Sequence, residues 1–341
     1  MKKIINENEN PDFLTDFLNY KLIIQNMSEN TVKEYNYDLL HFLRYIAYEI
    51  ENFNIKNDGN KINDENEIND LNIIDLKKEV LKKISLKDLH NFLAYIKKYH
   101  NNTATSLSRK VSSIRSFFKY FNKVDGYLED NPASNLDSPK LPKRIPKYLN
   151  IDEAKRLLEA SKTNVNKRNE QYISRNHAIL TIFLNCGIRL SELVGMNISD
   201  INLSTRMLKV TGKGNKERNI YLNDACIKSL NEYMKDRPKN ISKKYEDALF
   251  LSNQKKRISR RGVQYIVEGE IKKAGLDSTK YSVHKLRHTA ATLMYQYGDA
   301  DISALQKVLG HETISTTEIY THAENYEVKR AIENNPLSGL D

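Results

Sequence analysis

The run HKLRHTAAT, residues 284 to 292, places two imidazoles, His284 and His288, four positions apart. On a helix that spacing puts both on one face, which is how a helix presents two histidines to zinc. Arg287 shares the face. A permanent cation among the ligands opposes a divalent metal, and a catalytic zinc usually takes a third protein ligand. HETIS, at 311 to 315, carries serine where an HExxH site needs its second histidine. The face suits an anion better, because a planar guanidinium donates paired hydrogen bonds to phosphate oxygens.

Other residues extend this chemistry. His284, His288, His311 and His322 are four of the eight histidines and fall within 39 positions. Arg189 follows Cys186-Gly187-Ile188, Lys213 sits between Gly212 and Gly214, and Tyr320 comes nine residues after His311. Two arginines can hold the non-bridging oxygens of a phosphodiester and stabilise the extra charge of a pentavalent transition state. A lysine on a glycine-flanked turn can reach a leaving oxygen and supply a proton. A tyrosine, with an ordinary pKa of about 10, becomes a useful nucleophile where cations and a base favour its phenolate. Taken singly, each residue also has an ordinary reading. The chain has 20 tyrosines, a lysine in a turn is usually solvent-exposed, and His288 reads as structural support.

These residues need elements to position them. Thr31 and Glu34 form a T-x-x-E capping box, followed at helical spacing by Val32, Tyr35, Leu39, Phe42, Leu43 and Ile46. Further helices are predicted over 85 to 99 and about 105 to 121, giving an all-helical domain over about 9 to 123. On the last of these helices Arg109, Lys110, Arg115 and Lys119 lie mostly off the apolar stripe, as a basic face able to meet DNA phosphates. Residues 51 to 72 carry asparagine at 54, 57, 60, 63, 66, 69 and 72, without an evident apolar face. They read as a flexible insertion. Residues 124 to 147 read as a linker. Four of the seven prolines stiffen it, and Lys140, Lys143, Arg144 and Lys147 could track a phosphate backbone.

A second domain, 148 to 341, opens with a cap from Asn150 to Glu153. A helix near 174 to 186 should stop at Gly187, a natural helix-ending position. TRMLKV (205–210) and ERNIYL (217–222) flank TGKGNK as a hairpin. Helices are predicted near 224 to 235, 260 to 274, 284 to 297 and 302 to 309. Ser315 and Glu318 form an S-x-x-E box that would place Tyr320 on a short local helix. The fold class is therefore mainly α, with one small antiparallel β-sheet in the second domain.

The bulk numbers agree with a nucleic-acid partner. The net charge is +10, and a basic balance favours polyanions. Residues 51 to 80 hold eight acidic and four basic side chains, so the rest of the chain is more basic still, and the acidic stretch should face away from DNA. No apolar run approaches the roughly 18 residues of a membrane span. The start, MKKIINENENPDF, has no apolar stretch behind its lysines and does not read as a signal peptide. Cys186 and Cys226 form no spacing pattern and read as reduced thiols of a cytoplasmic protein.

CGIRLSEL (186–193), VTGKGNKER (210–218), HKLRHTAAT (284–292) and LGHETISTTEIYTH (309–322) together resemble the tyrosine recombinases, the lambda-integrase family. SENTVKEYNYDLLHF (28–42) resembles that family's core-binding, SAM-like domain. The likeness spans nearly the whole chain apart from 51 to about 72 and the extreme N-terminus. It implies that Arg189 and Arg287 clamp the scissile phosphate. It also implies that Lys213 is the general acid toward the 5′-hydroxyl, that His284 assists as acid/base, and that His311 hydrogen-bonds the phosphate. Tyr320 would form a 3′-phosphotyrosyl link, without metal, ATP or another cofactor.

The wording of GKGNKER and LGHETISTTEIYTH, and a layout without an additional arm-binding domain, are most like the Xer group. That implies double-stranded DNA with a dif-like site, two domains closing on it as a clamp, and a homo- or hetero-tetramer of recombinases. A DNA translocase is a candidate activator, and no membrane insertion is expected. The tail, 323 to 341, would be a helix donated to a neighbouring protomer, with Val328, Ala331 and Ile332 on one face. The alternatives are an integrase of a phage or mobile element with the same chemistry, an architectural DNA-binding protein with a silent site, and a type IB topoisomerase.

Overall fold

The computed structural model describes residues 9–51, 65–99, 103–140, 147–163, 172–212, 216–298 and 301–310. The chain divides into two compact units, 1–143 and 144–341.

The first unit is helical: α1 (Asp12–Asn19), α2 (Glu29–Glu51), α3 (Leu86–Tyr99) and α4 (Ala104–Lys123). Helix α2 starts earlier than the T-x-x-E spelling predicts. Ser28 is the cap, its Oγ accepting from the Thr31 N–H at 3.3 Å, so Thr31 is the third residue of the helix rather than its cap. Thr103 caps α4 in the same way through the Ser106 N–H. The stripe Val32, Leu39, Phe42, Leu43 and Ile46 is fully buried. It meets an aromatic core in which Phe17 and Phe117 sit edge to face with centroids 5.3 Å apart, the arrangement that ring quadrupoles favour.

Two expectations for this unit are corrected. The 51–72 segment is not a flexible loop throughout. Residues 65–70 form a 3₁₀ turn packed on α2, Ile68 and Leu71 are fully buried, and Arg44 Nε donates to the Leu71 carbonyl at 3.0 Å. Two apolar residues three positions apart suffice to anchor one turn, and the asparagine repeat hid them. Residues 52–64 lie outside the described residues. Lys110, expected on a DNA-facing surface, is buried at 2% exposure. Its Nζ lies 3.0 Å from Asp38 Oδ1, and Asp38 also accepts from Arg109 Nη1 and Ser113 Oγ. A fully buried carboxylate is costly without such partners, so Lys110 is a core counter-ion.

The second unit contains α5 (Ile151–Ser161), α6 (Ile173–Cys186), α7 (Leu190–Gly195), α8 (Asp224–Asp236), α9 (Arg260–Lys273), α10 (Val283–Tyr297) and α11 (Ile302–Leu309). Strands β1 (Ile201–Asn202), β2 (Met207–Thr211) and β3 (Glu217–Tyr221) form an antiparallel sheet in that order. The hairpin is in register from Met207 opposite Tyr221 to Thr211 opposite Glu217, and β1 is a third strand that the sequence did not announce. Leu208, Val210 and Ile220 point their side chains into the core, the period-2 pattern of a half-buried sheet. Asn150 and Glu153 form the expected reciprocal cap of α5.

Helix α6 is buried almost all round, from Ala178 to Leu184, which marks it as the central helix of the unit. It packs against α5, α8 and α10 and ends at Gly187, where φ is +58°. A Cβ at Gly187 would meet Leu309 Cδ2 at 2.8 Å, so both the left-handed backbone and the close approach of α11 require glycine there. Cys186 and Cys226 are free and buried, with their sulfurs 3.7 Å apart. Among the described residues, no helix is long and apolar enough to cross a membrane.

Candidate active site

The turn after α6 builds the site. Gly187 reverses the chain, Ile188 is buried, and Arg189 stands at the N-terminal edge of α7. Glu192, one turn in, returns its Oε2 to the Arg189 N–H at 2.8 Å, satisfying an amide the helix cannot. Its Oε1 lies 2.9 Å from Arg189 Nη1. The Arg189 side chain keeps a third of its surface exposed while Glu192 keeps 1%. The carboxylate is a buried anchor, and the arginine it holds stays partly exposed.

Helix α10 supplies the second arginine. Arg287 is buried at 7% exposure, and its Nη1 donates to the Gly187 carbonyl at 2.7 Å. Its Nη2 donates to the Leu309 carbonyl, also at 2.7 Å. Arg189 Nη2 donates to the next carbonyl, Gly310, at 2.9 Å. The last carbonyls of a helix have no partner within it and lie at the negative end of its dipole, so the C-terminus of α11 attracts both guanidinium groups. The two arginines are thereby gathered at the residues that lead directly into His311.

His284 lies one turn before Arg287 on α10 and is exposed. His288, on the following turn, is half-buried. Burial, reinforced by the nearby cations Lys285 and Arg287 and by His284, pushes its imidazole down to about 4. It is neutral at ordinary pH, in keeping with a packing role.

The hairpin brings a third element close. Gly212, at the end of β2, bonds back to the Lys216 carbonyl at 2.8 Å, and a Cβ built on it would lie 3.5 Å from Glu192 Oε1. The base of the turn that carries Lys213 is therefore beside the Arg189 anchor. Lys213, His311 and Tyr320 lie outside the described residues, as do the S-x-x-E box and the tail at 323–341. Of the basic residues expected to meet DNA, Arg115, Lys119, Lys140 and Lys147 are exposed. Arg109 is engaged by Glu34 and Asp38 at 2.7 and 2.6 Å, and Lys143 and Arg144 are outside the described residues.

Sequence reasoning passed over two features. One is the Glu192–Arg218 pair, spelled in CGIRLSEL and GKGNKER but without an assigned role. Arg218 Nη1 and Nη2 reach Glu192 Oε1 and Oε2 at 2.7 and 3.0 Å. Burial alone would raise the Glu192 carboxyl, but Arg218 and the Arg189 backbone and side chain outweigh it and hold it below the usual glutamate value. The other is the run KKRISRR, 255 to 261. It borders a groove of about 540 Å³ lined by Arg175, Lys256, Arg257, Ser259 and Tyr265, with Lys255, Lys256, Arg260 and Arg261 exposed. Five cations in seven residues were the available signal.

A helical unit with a small sheet, two arginines held on one helix end, an accessible histidine and a basic surface define a protein built to handle a phosphodiester. The chain belongs to the phage integrase family, whose model matches residues 147–327. It is 44% identical over 328 residues to the tyrosine recombinase XerC of Caldanaerobacter subterraneus subsp. tengcongensis, covering 96% of this chain and 88% of that one. It is 33% identical over 318 residues to the tyrosine recombinase XerD of Oceanobacillus iheyensis, covering 93% and 95%. Its fold is that of the XerH recombinase bound to a palindromic difH substrate in a post-cleavage complex, with a TM-score of 0.71 at 20% identity, covering 98% of both chains. A lambda integrase dimer bound to a COC′ core site also shares the fold, with a TM-score of 0.58 at 18% identity, covering 89% of this chain and 96% of that one. The protein is thus a tyrosine recombinase, an enzyme that cuts and rejoins DNA at specific sites.

Proposed function

We propose that this recombinase resolves chromosome or plasmid dimers at a palindromic, dif-like site, as one protomer of a homo- or hetero-tetramer spanning two such sites. The observation that carries the reading is the convergence of Arg189 and Arg287 on the neighbouring carbonyls of Gly310 and Leu309, immediately before His311. A scissile phosphate docked there would exchange with these carbonyls for the guanidinium donors. Tyr320 then attacks phosphorus through its phenolic oxygen. The new P–O(tyrosyl) bond forms as the P–O5′ bond breaks, with the two arginines and His311 holding the charge on the non-bridging oxygens. Lys213 gives its proton to the departing 5′ oxygen, and His284 assists the proton transfers at the tyrosine. The 5′-hydroxyl of the partner strand reverses the same steps, so no bond energy leaves the site and no ATP or metal is called for.

Each unit would make its own DNA contacts, through Arg115, Lys119, Lys140 and Lys143 in the first and through Arg144, Lys147 and the basic run at 255–261 in the second. A translocase that positions the two sites would act upstream of this chemistry.

The test is covalent capture on a nicked suicide duplex carrying a dif-like palindrome, in EDTA, resolved on a denaturing gel. Wild type should give a shifted protein–DNA band. Tyr320→Phe should bind the duplex with affinity within about twofold and give no band. A band from Tyr320→Phe would remove the nucleophile assignment. A wild type that binds but never forms the band would remove the recombinase reading at this site.

A further inference from the structure

Arg218 lies on β3, with its side chain 15% exposed and each nitrogen of its guanidinium already engaged. Nη1 and Nη2 grip both oxygens of Glu192 at 2.7 and 3.0 Å, and Nε donates to the Val308 carbonyl at 3.1 Å. The plane of the side chain also lies against Gly310, where an added Cβ would come within 3.1 Å of Cδ, Nε and Cζ. Val308, Leu309 and Gly310 therefore present three consecutive carbonyls to three arginines, Arg218, Arg287 and Arg189 in turn. Arg189 and Arg287 are the phosphate clamp of the proposed mechanism. Arg218 instead spends its fork on the protein itself.

We propose that Arg218 is a positioning residue for the strand-cleavage step, acting through Glu192 to aim Arg189 and through Val308 to fix the end of α11 from which His311 departs. This rests on the phosphate-clamp reading of Arg189 and goes beyond it.

The physical reason lies in the carboxylate. Glu192 is 1% exposed and would be costly to bury as an ion without full hydrogen bonding. Arg189 supplies one side-chain bond and one backbone bond to it. If Arg218 did not supply the remaining two, Glu192 would draw the Arg189 guanidinium further inward, away from the exposed side where a phosphate must dock. The bidentate grip from β3 leaves Arg189 only one side-chain bond to Glu192. Because β2 and β3 are paired up to Thr211 and Glu217, the same residue ties the base of the Lys213 turn to the arginine clamp. A lysine would keep the charge but not the three-way fork.

The test compares single-turnover covalent capture on two suicide duplexes. One carries an ordinary scissile phosphate. The other has a methyl group in place of one non-bridging oxygen, so that the linkage is neutral and needs little charge neutralisation. On the ordinary phosphate, Arg218→Met should cleave about 100-fold slower than wild type, the scale expected for a displaced catalytic group, with DNA affinity unchanged. On the neutral linkage most of that deficit should vanish, as it should for Arg189→Ala, and Arg218→Lys should fall between. Glu192→Gln combined with Arg218→Met should cost no more than the worse single change, since both act through one contact.

An equal loss on both linkages would make Arg218 a merely structural residue and overturn the proposal. Additive losses in the double variant would do the same. If wild type forms no covalent complex on the ordinary phosphate, the recombinase reading fails first, and this one with it. Should Arg218→Met not fold, Arg218→Lys and Glu192→Gln carry the same two-linkage comparison.

Discussion

At the scale of single residues, charge partners decide what each cation can do. Lys110 and Arg115 lie on one helix and look alike in the sequence. Lys110 is locked to buried Asp38, while Arg115 is exposed. His284 and His288 also look alike, yet one is exposed and the other half-buried among cations. This gives a pH prediction. His288 is depressed from 6.5 to about 4 in the folded state, so between those values the unfolded chain binds the extra proton and the folded one does not. Stability should fall as pH drops from 6.5 toward 4 and lose nothing more from this group below that. His288→Gln should flatten that part of the curve of melting temperature against pH. An unchanged slope in the variant would assign the loss to other groups.

At the scale of elements, the ends of helices carry the site. Gly187 closes α6, Glu192 satisfies the start of α7, and the end of α11 collects three arginines. The 3₁₀ turn at 65–70 shows how little apolar material anchors an element. Ile68 is fully buried in a segment that is otherwise polar. Deleting residues 52–64 should therefore leave the melting temperature within a few degrees of wild type. Ile68→Asp should lower stability by about 3 kcal/mol, the scale for an unpaired charge placed in a core. Denaturant unfolding of both variants checks this, and a deletion as damaging as the substitution would show that 52–64 is itself structural.

At the scale of the whole molecule, the net charge of +10 and the exposed Lys255, Lys256, Arg260 and Arg261 predict binding governed by phosphate neutralisation. The logarithm of the association constant should fall linearly with the logarithm of salt concentration. Arg260→Ala with Arg261→Ala should make that slope shallower by about 1 for each phosphate that the pair neutralises in the wild type. Fluorescence anisotropy with a labelled duplex over about 50 to 200 mM salt reads the slope, and an unaltered slope would take these two arginines off the DNA.

The sequence by itself determined the helical class, the hairpin and the stop at Gly187, and it singled out the two arginines proposed as the clamp. Each is set locally, by the period of apolar residues, by glycine's access to positive φ, or by short motifs whose chemistry survives out of context. What it left open depends on groups distant in the chain. That Lys110 is a core counter-ion follows from Asp38, 72 positions away. That Ile68 and Leu71 are anchors follows from their burial in a turn packed on α2. That Glu192 is held by Arg218 follows from β3 reaching α7 across 26 positions. The convergence of Arg189 and Arg287 on the end of α11, over 121 and 22 positions, is likewise tertiary. Unpaired helix carbonyls attract cations wherever they come from, and only the folded chain decides which cations are near.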